Sequence, residues 1–271
     1  MGAGVAEVAA AAGYDVVLRS RHQDTADAML AGLAKSLARQ VEKEKRTQAE
    51  ADAIAGRVKA TTHLGELVDV DLVIESVVED LGVKKALFAE LDSVCKPGAI
   101  LATNTSTLPV VELAMATGRP DLVCGIHFFN PAPAMSLVEV VRPITAADAT
   151  VAAALAFAES CGKEPVEVKD QAGFIVNALL FPYLNNAVRL LEQGVATKEG
   201  IDAAMKGGCG FPLGPFALLD LVGLDTSVAI LDALYDEFRD PNYAAMPLLR
   251  RLVTSGQLGR KAGRGFYDYA R

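Results

Sequence analysis

The sequence is poor in the side chains that bind metals. Three histidines and four cysteines are scattered among 271 residues, and no two cysteines form a CxxC pair. A structural zinc site needs about four such ligands, grouped at short spacings. We therefore predict no metal site, and we expect the cysteines to be the reduced thiols of a cytoplasmic protein.

Long apolar runs and an excess of positive charge are also missing. No apolar run reaches the roughly 18 residues of a membrane span, and the first residues lack the basic region of a signal peptide. The formal net charge of −8 argues against nucleic acid or an anionic membrane as the main partner. What is present, 51% hydrophobic and 22% charged residues, is typical of a globular protein.

Short strand-like runs alternate with helical segments through the first 170 residues. We predict strands at 14–18, 58–62, 70–75, 99–103, 121–127, 137–141 and 165–168. Such alternation is typical of an α/β protein with a doubly wound, largely parallel sheet of the Rossmann type. From residue 171 the pattern is helical, with one long helix at 216–238. We predict an α/β domain at 1–170 and an all-α domain at 171–271.

The stretch at 122–141 places two ionisable side chains in an apolar frame. It predicts a buried strand ending at His127, a turn forced by two prolines, and a second strand containing Glu139. Such a carboxylate needs a partner, because burying an unpaired charge costs several kcal/mol, roughly. If the strands lie side by side, Glu139 accepts one ring N–H of His127 and leaves the other nitrogen as a base. Alternatively, His127 is a hydrogen-bonded core histidine without a catalytic role.

The N-terminus fits part of a dinucleotide-binding fingerprint. Such a sheet begins with a strand and then G-x-G-x-x-G, which brings the pyrophosphate to the N-terminus of the first helix. The sequence begins inside that element: Gly2 fits the last glycine, and the strand and the first two glycines are absent. We favour a start assigned at an internal methionine over a shortened chain or a non-enzymatic relative. For the chain as written we expect weak dinucleotide binding and poor stability, because neighbouring strands keep unpaired edges.

The strand at 14–18 is followed by a basic cluster, Arg19, Ser20 and Arg21. In NAD-binding sheets an acidic residue, about 20 positions after the glycines, binds the ribose. Here Ser20 occupies that position. A hydroxyl between two guanidinium groups suits a 2′-phosphate, which favours NADP(H) over NAD(H). The other interpretation is a solvated basic strand end.

Six motifs follow one another along the chain: GAGVAEVA at 2–9, NTSTL at 104–108, GIHFFNP at 125–131, DQAGFIVN at 170–177, GPFALLDLVGLD at 214–225 and GRKAGRGFY at 259–267. In sequence and order they closely resemble the motifs of the short-chain-length, monofunctional 3-hydroxyacyl-CoA dehydrogenases. The resemblance implies a cytoplasmic, homodimeric oxidoreductase that interconverts 3-hydroxyacyl-CoA and 3-oxoacyl-CoA with a nicotinamide cofactor. It implies 3-hydroxybutyryl-CoA and acetoacetyl-CoA as substrates, and a helical domain that serves dimerisation and substrate binding.

The resemblance also assigns residues to the site. It implies that His127 is the general acid/base and that Glu139 orients it. It implies that Ser106 and Asn177 position the substrate oxygen by hydrogen bonds. Cofactor contacts are implied at Gly2, Glu79, Lys84, Asn104, Ser106, Asn130 and Lys261, and CoA contacts at Ser36 and Lys43, which lie seven residues apart on one helix face.

These assignments have alternatives. Ser106 can cap the helix predicted at 108–115, and Asn177 can be a mid-helix polar residue bonded locally. Glu79 can belong to a solvated helix start, and Lys84 can be an exposed lysine. For the whole protein, the alternatives are a non-enzymatic relative on the same fold and a β-hydroxyacid dehydrogenase that acts on free acids with a helix-borne lysine as its base.

Overall fold

Helices and strands alternate through the first 170 residues, as the sequence pattern predicts. The structure is a computed structural model and describes residues 1–269. The chain divides into two units, Met1–Asp170 and a second that begins at Gln171. The first unit is α/β and the second is helical, which confirms the predicted fold class. Among residues 1–269, no helix combines the length and apolar character that crossing a membrane requires.

The first unit contains seven strands and six α-helices among its described residues. The strands are β1 (Val16–Arg19), β2 (Val58–Thr61), β3 (Leu72–Glu75), β4 (Ile100–Thr103), β5 (Val123–Phe128), β6 (Leu137–Arg142) and β7 (Glu164–Lys169). The helices are α1 (Gly2–Ala11), α2 (Gln23–Glu42), α3 (Gln48–Gly56), α4 (Leu81–Val94), α5 (Val110–Ala114) and α6 (Asp148–Ser160). Side-chain caps begin two of the helices, because Thr47 accepts the N–H of Glu50 and Asp80 accepts the N–H of Val83.

The strands form two sheets. β1 pairs with β2 in parallel, and the larger sheet has the order β3-β4-β5-β6-β7. Its pairs are parallel except β5–β6, which is antiparallel. A short turn over residues 129–136 joins these two strands, whereas a parallel pair needs a crossover of about a dozen residues or more. The sheet therefore departs from the predicted parallel arrangement at the pair that carries His127 and Glu139.

Helix α1 is buried on most of its surface because it contacts the cores of both sheets. Val5 and Val8 lie in the core of the five-stranded sheet. Ala6 and Ala10 lie in a second core with residues of β1, β2, α2 and α3. Apart from Glu7, which is buried and accepts a hydrogen bond from Gln40, α1 is apolar on all sides, which is typical of such an enclosed position.

The second unit contains the helices α7 (Val176–Glu192), α8 (Lys198–Cys209), α9 (Pro215–Val222), α10 (Leu224–Phe238) and α11 (Pro247–Thr254) among its described residues. The prediction of one helix at 216–238 was wrong, because the segment is broken at Gly223. The φ angle of Gly223 is 104°, a conformation that glycine adopts without steric cost and that ends a helix. Its N–H closes α9 on the carbonyl of Leu219, and its own carbonyl accepts the N–H of Ser227 in α10.

Two buried carboxylates hold the segment at 259–269 against the helices of this unit. Asp220 in α9 accepts the backbone N–H groups of Phe266 and Tyr267 at 2.9 and 2.8 Å. Asp202 in α8 accepts the hydroxyl of Tyr267 at 2.9 Å. A Cβ on Gly265 would lie 2.0 Å from an Asp220 oxygen, so only glycine fits there. The motif at 259–267 is therefore explained by packing within the second unit.

Candidate active site

His127 and Glu139 face each other across the antiparallel pair of β5 and β6. Residues directly opposite on such a pair point to the same face of the sheet, which brings their side chains together. Nδ1 of His127 lies 2.7 Å from Oε2 of Glu139. The two residues are only 4% and 1% exposed. The predicted contact between the two side chains is therefore present, in a site from which water is largely excluded.

The second nitrogen of His127 contacts Ser106. Nε2 lies 3.0 Å from the Ser106 hydroxyl. In the tautomer with the proton on Nδ1, this nitrogen donates to Glu139 and Nε2 accepts from the Ser106 hydroxyl. The ring of Phe129 packs at 4.6 Å from the imidazole, between ring centres. The imidazole is thus held in one tautomer, with its basic nitrogen directed at a hydroxyl.

Ser106 does not cap the following helix. Its backbone N–H donates to Oε1 of Glu79 at 2.9 Å, and its hydroxyl is at His127. Helix α5 is capped instead by Asp170, which accepts the N–H groups of Val110 and Val111 at 2.9 and 2.8 Å. Burial raises the pKa of the Asp170 carboxyl, against the effect of these two donors. The interpretation of Ser106 as a helix cap was therefore wrong.

Lys84 is buried beneath the Ser106 loop. Its side chain is 1% exposed, and its ammonium lies 2.8 and 2.9 Å from the two carboxylate oxygens of Glu75. It also lies 3.2 Å from Glu79. The interpretation of Lys84 as an exposed lysine was wrong. Its implied contact with a cofactor stays a prediction.

The two asparagines of the first unit, Asn104 and Asn130, differ in burial. Asn104 follows β4, and its side-chain oxygen accepts the N–H of Phe128 at 2.7 Å. Asn130 follows β5, is exposed and precedes a cis peptide bond to Pro131. Asn104 thereby ties the end of β4 to the residue after His127.

The basic cluster at the end of β1 contains an unpaired buried atom. Nε of Arg19 is buried without a hydrogen-bond partner. The N–H of Ser20 donates to the carbonyl of Thr61, and Arg21 is exposed. The hydroxyl of Ser76, beside Gly2, is likewise buried and unpaired. Buried polar atoms normally have partners, so each of these two atoms is available to a polar ligand, such as a nucleotide.

The remaining predicted residues lie on α2 and in the second unit. Ser36 is in α2, where Gln40 donates to its hydroxyl at 3.4 Å, and Lys43 stands exposed just past the end of that helix. Asn177 is buried in the first turn of α7, so it is not a mid-helix residue. Lys261 forms an ion pair with Asp225 at 2.6 Å.

Sequence reasoning missed two carboxylates of the first unit, Glu75 and Asp170. Glu75 ends an apolar strand, which is the same signal that singled out Glu139, so its burial beside a partner could have been predicted from the sequence. Asp170 begins the motif at 170–177, but its role as a cap was not predicted, because the N–H groups it binds are about 60 positions away in the sequence.

The fold and site define an α/β nucleotide-binding protein with a helical second unit. Residues 1–171 match the family model described as 3-hydroxyacyl-CoA dehydrogenase, NAD binding domain, and residues 173–269 match the model of the C-terminal domain. The chain belongs to the 3-hydroxyacyl-CoA dehydrogenase family.

Several 3-hydroxybutyryl-CoA dehydrogenases are similar to the chain over nearly its whole length. The 3-hydroxybutyryl-CoA dehydrogenase of Clostridioides difficile is 47% identical over 269 residues, which cover 99% of this chain and 96% of the relative. That of Mycobacterium tuberculosis is 47% identical over 271 residues, which cover 99% and 95%. The crystal structure of the (S)-3-hydroxybutyryl-CoA dehydrogenase from Ralstonia eutropha has a TM-score of 0.97 at 40% identity, with 100% of this chain and 96% of that chain covered.

Proposed function

We propose that the protein interconverts 3-hydroxyacyl-CoA and 3-oxoacyl-CoA of short chain length, 3-hydroxybutyryl-CoA and acetoacetyl-CoA in particular. The observation that carries this proposal is the imidazole of His127, with Glu139 on one nitrogen and the Ser106 hydroxyl on the other. The names of the relatives support the substrate class.

The proposed chemistry is a proton transfer coupled to a hydride transfer. A bound nicotinamide supplies the hydride acceptor or donor. In the oxidative direction, Nε2 of His127 takes the proton of the substrate hydroxyl, and in reduction it returns that proton. Glu139 stabilises the imidazolium that forms, because a carboxylate on Nδ1 is closest to the new charge. Ser106 and Asn177 are each proposed to position the substrate oxygen.

We propose NADP(H) rather than NAD(H) as the preferred cofactor. Support comes from Ser20 at the ribose position, from the exposed Arg21 and from the unpaired Nε of Arg19. A guanidinium is suited to bidentate binding of phosphate oxygens. The other residues proposed to hold the cofactor are Gly2, Glu79, Lys84, Asn104, Asn130 and Lys261.

We further propose CoA contacts at Ser36 and Lys43, a homodimer and a cytoplasmic location. The 1–170 unit is proposed to bind the cofactor, and the rest of the chain to serve dimerisation and substrate binding. Exposed apolar side chains of the second unit, such as Leu179, which is 72% exposed, support an interface. The four cysteines are free, which supports a reducing compartment.

The test is a turnover assay with purified protein. Acetoacetyl-CoA should drive oxidation of NADPH faster than of NADH, and free acetoacetate should not replace the thioester. A His127→Asn variant should lose this activity, whereas His63→Asn, which changes an exposed histidine, should keep it. Lack of turnover by the wild type would support a non-enzymatic relative. Full activity of His127→Asn would point to a different base.

A further inference from the structure

Glu75 is a buried hub at the ends of β3 and β4. Its carboxylate accepts the ammonium of Lys84 through both oxygens, the hydroxyl of Thr103 at 2.8 Å and the N–H of Val77 at 2.5 Å. Its backbone carbonyl accepts the N–H of Asn104 at 2.8 Å. A carboxylate with this many donors is fixed in position and orientation.

One series of side-chain contacts leads from Glu75 to the imidazole of His127. Lys84 holds Glu75 and reaches Oε2 of Glu79 at 3.2 Å. The other oxygen of Glu79 accepts the N–H of Ser106 and also the hydroxyl of Thr105. The hydroxyl of Ser106 then meets Nε2 of His127. Lys84 is therefore two contacts away from the hydroxyl that faces the base.

A second series of contacts from Glu75 to the strand of His127 runs through the backbone. The N–H of Asn104 is held by Glu75, and the side-chain oxygen of Asn104 accepts the N–H of Phe128. Phe128 directly follows His127 on β5. The loop from 103 to 106 is thus tied at one end to the hub and at the other to the strand that carries the imidazole.

We infer that Glu75 and Lys84 are positioning residues that hold Ser106 against His127. The inference rests on the proposed function. A buried ion pair adds little net stability compared with apolar side chains of the same size, because desolvation offsets its Coulomb attraction. Its effect here is geometric: Lys84 fixes Glu79, and Glu79 fixes the backbone of Ser106. The distance from the hydroxyl to Nε2 then depends on two side chains that do not touch the imidazole.

The test compares neighbouring lysines on one helix. Lys84→Met removes the buried ammonium, and Lys85→Met is the matched control, since Lys85 is half-exposed and pairs with Glu112 at the surface. Displacing a reacting group by about 1 Å can cost a hundredfold in rate. We expect Lys84→Met to lower kcat about tenfold to a hundredfold with little change in KM for acetoacetyl-CoA, and Lys85→Met to leave both unchanged.

A double-mutant cycle separates positioning from a general structural role. In a Ser106→Ala background, the hydroxyl that Lys84 is inferred to position is absent. Adding Lys84→Met should then lower kcat by much less than it does in the wild type, because residues that act through one group are not additive. Equal effects in both backgrounds would overturn the inference.

A readout independent of activity is available because the chain has three histidines. The ring nitrogen signals of His127 can be assigned by NMR with a His127→Asn spectrum. Lys84→Met should shift these signals although Lys84 does not contact the ring, and Lys85→Met should not. If Lys84→Met fails to fold, Glu79→Gln tests the same link at a much less buried position. Unshifted His127 signals in the folded variants would overturn the inference, whereas absence of wild-type turnover would count only against the proposed function.

Discussion

Replacing Glu139 by glutamine tests the proton-transfer role directly. The change keeps the shape of the side chain and leaves an amide oxygen that can accept the N–H of His127 Nδ1. It removes the negative charge from a contact of 2.7 Å in which both partners are buried. Glu139→Gln should therefore retain the orientation of the imidazole and lose its electrostatic support.

The size of the effect follows from Coulomb attraction in the site. Two unit charges about 4 Å apart attract by about 4 kcal/mol at an effective dielectric constant of about 20. The neutral hydrogen bond that glutamine keeps contributes about 1 kcal/mol. The remaining loss is about 3 kcal/mol, and each 1.36 kcal/mol is about tenfold in rate. We expect kcat to fall about 10²- to 10³-fold, because imidazolium forms only as the proton is transferred.

The measurement is steady-state reduction of acetoacetyl-CoA, with kcat and kcat/KM obtained separately. Both should fall by a similar factor, since the lost interaction is made only in the transition state. Glu167→Gln is the matched control, because Glu167 lies on the neighbouring strand β7 and binds Arg142 at the surface. The reasoning is refuted if folded Glu139→Gln keeps kcat within about threefold of the wild type.

Three further predictions concern stability, thiol reactivity and cofactor choice. Gly265→Ala should lower the free energy of unfolding, measured in urea, by about 1–3 kcal/mol, because the added Cβ would overlap a buried carboxylate. The control Gly207→Ala adds a Cβ in open space on α8 and should raise the free energy of unfolding by about 0.5–1 kcal/mol. Burial raises the pKa of the Cys124 thiol to about 12, so at about pH 8 only about one molecule in 10⁴ carries the thiolate. A thiol reagent should therefore label the exposed Cys209 first and Cys124 only after unfolding. Fast labelling of both thiols in the folded protein would contradict this prediction. Ser20→Asp should lower the NADPH-to-NADH ratio of kcat/KM about tenfold or more, because a carboxylate repels a 2′-phosphate and binds ribose hydroxyls; an unchanged ratio would mean that this position does not contact the ribose.

The sequence predicts well those features that depend on neighbouring residues. The strand predicted at 99–103 is present as β4 (Ile100–Thr103), because an apolar run there directly follows a Pro-Gly pair. The contact of His127 with Glu139 was predicted because a short turn leaves adjacent strands side by side. The break at Gly223 was not, since an apolar run on both sides of a glycine looks like one helix. The partners of Glu75 lie 9 and 28 positions away, and only the folded sheet brings them together.

Glu75 and Glu139 show how one sequence signal leads to two physical roles. Each is an acid within or at the end of an apolar strand, and each is almost fully buried. Glu75 pairs with the ammonium of Lys84, which holds the carboxylate through both of its oxygens. Glu139 pairs with the imidazole of His127, which is proposed to take and return the substrate proton. The identity of the partner therefore separates a buried acid that fixes a loop, the role inferred for Glu75, from one that supports the proton transfer proposed for His127.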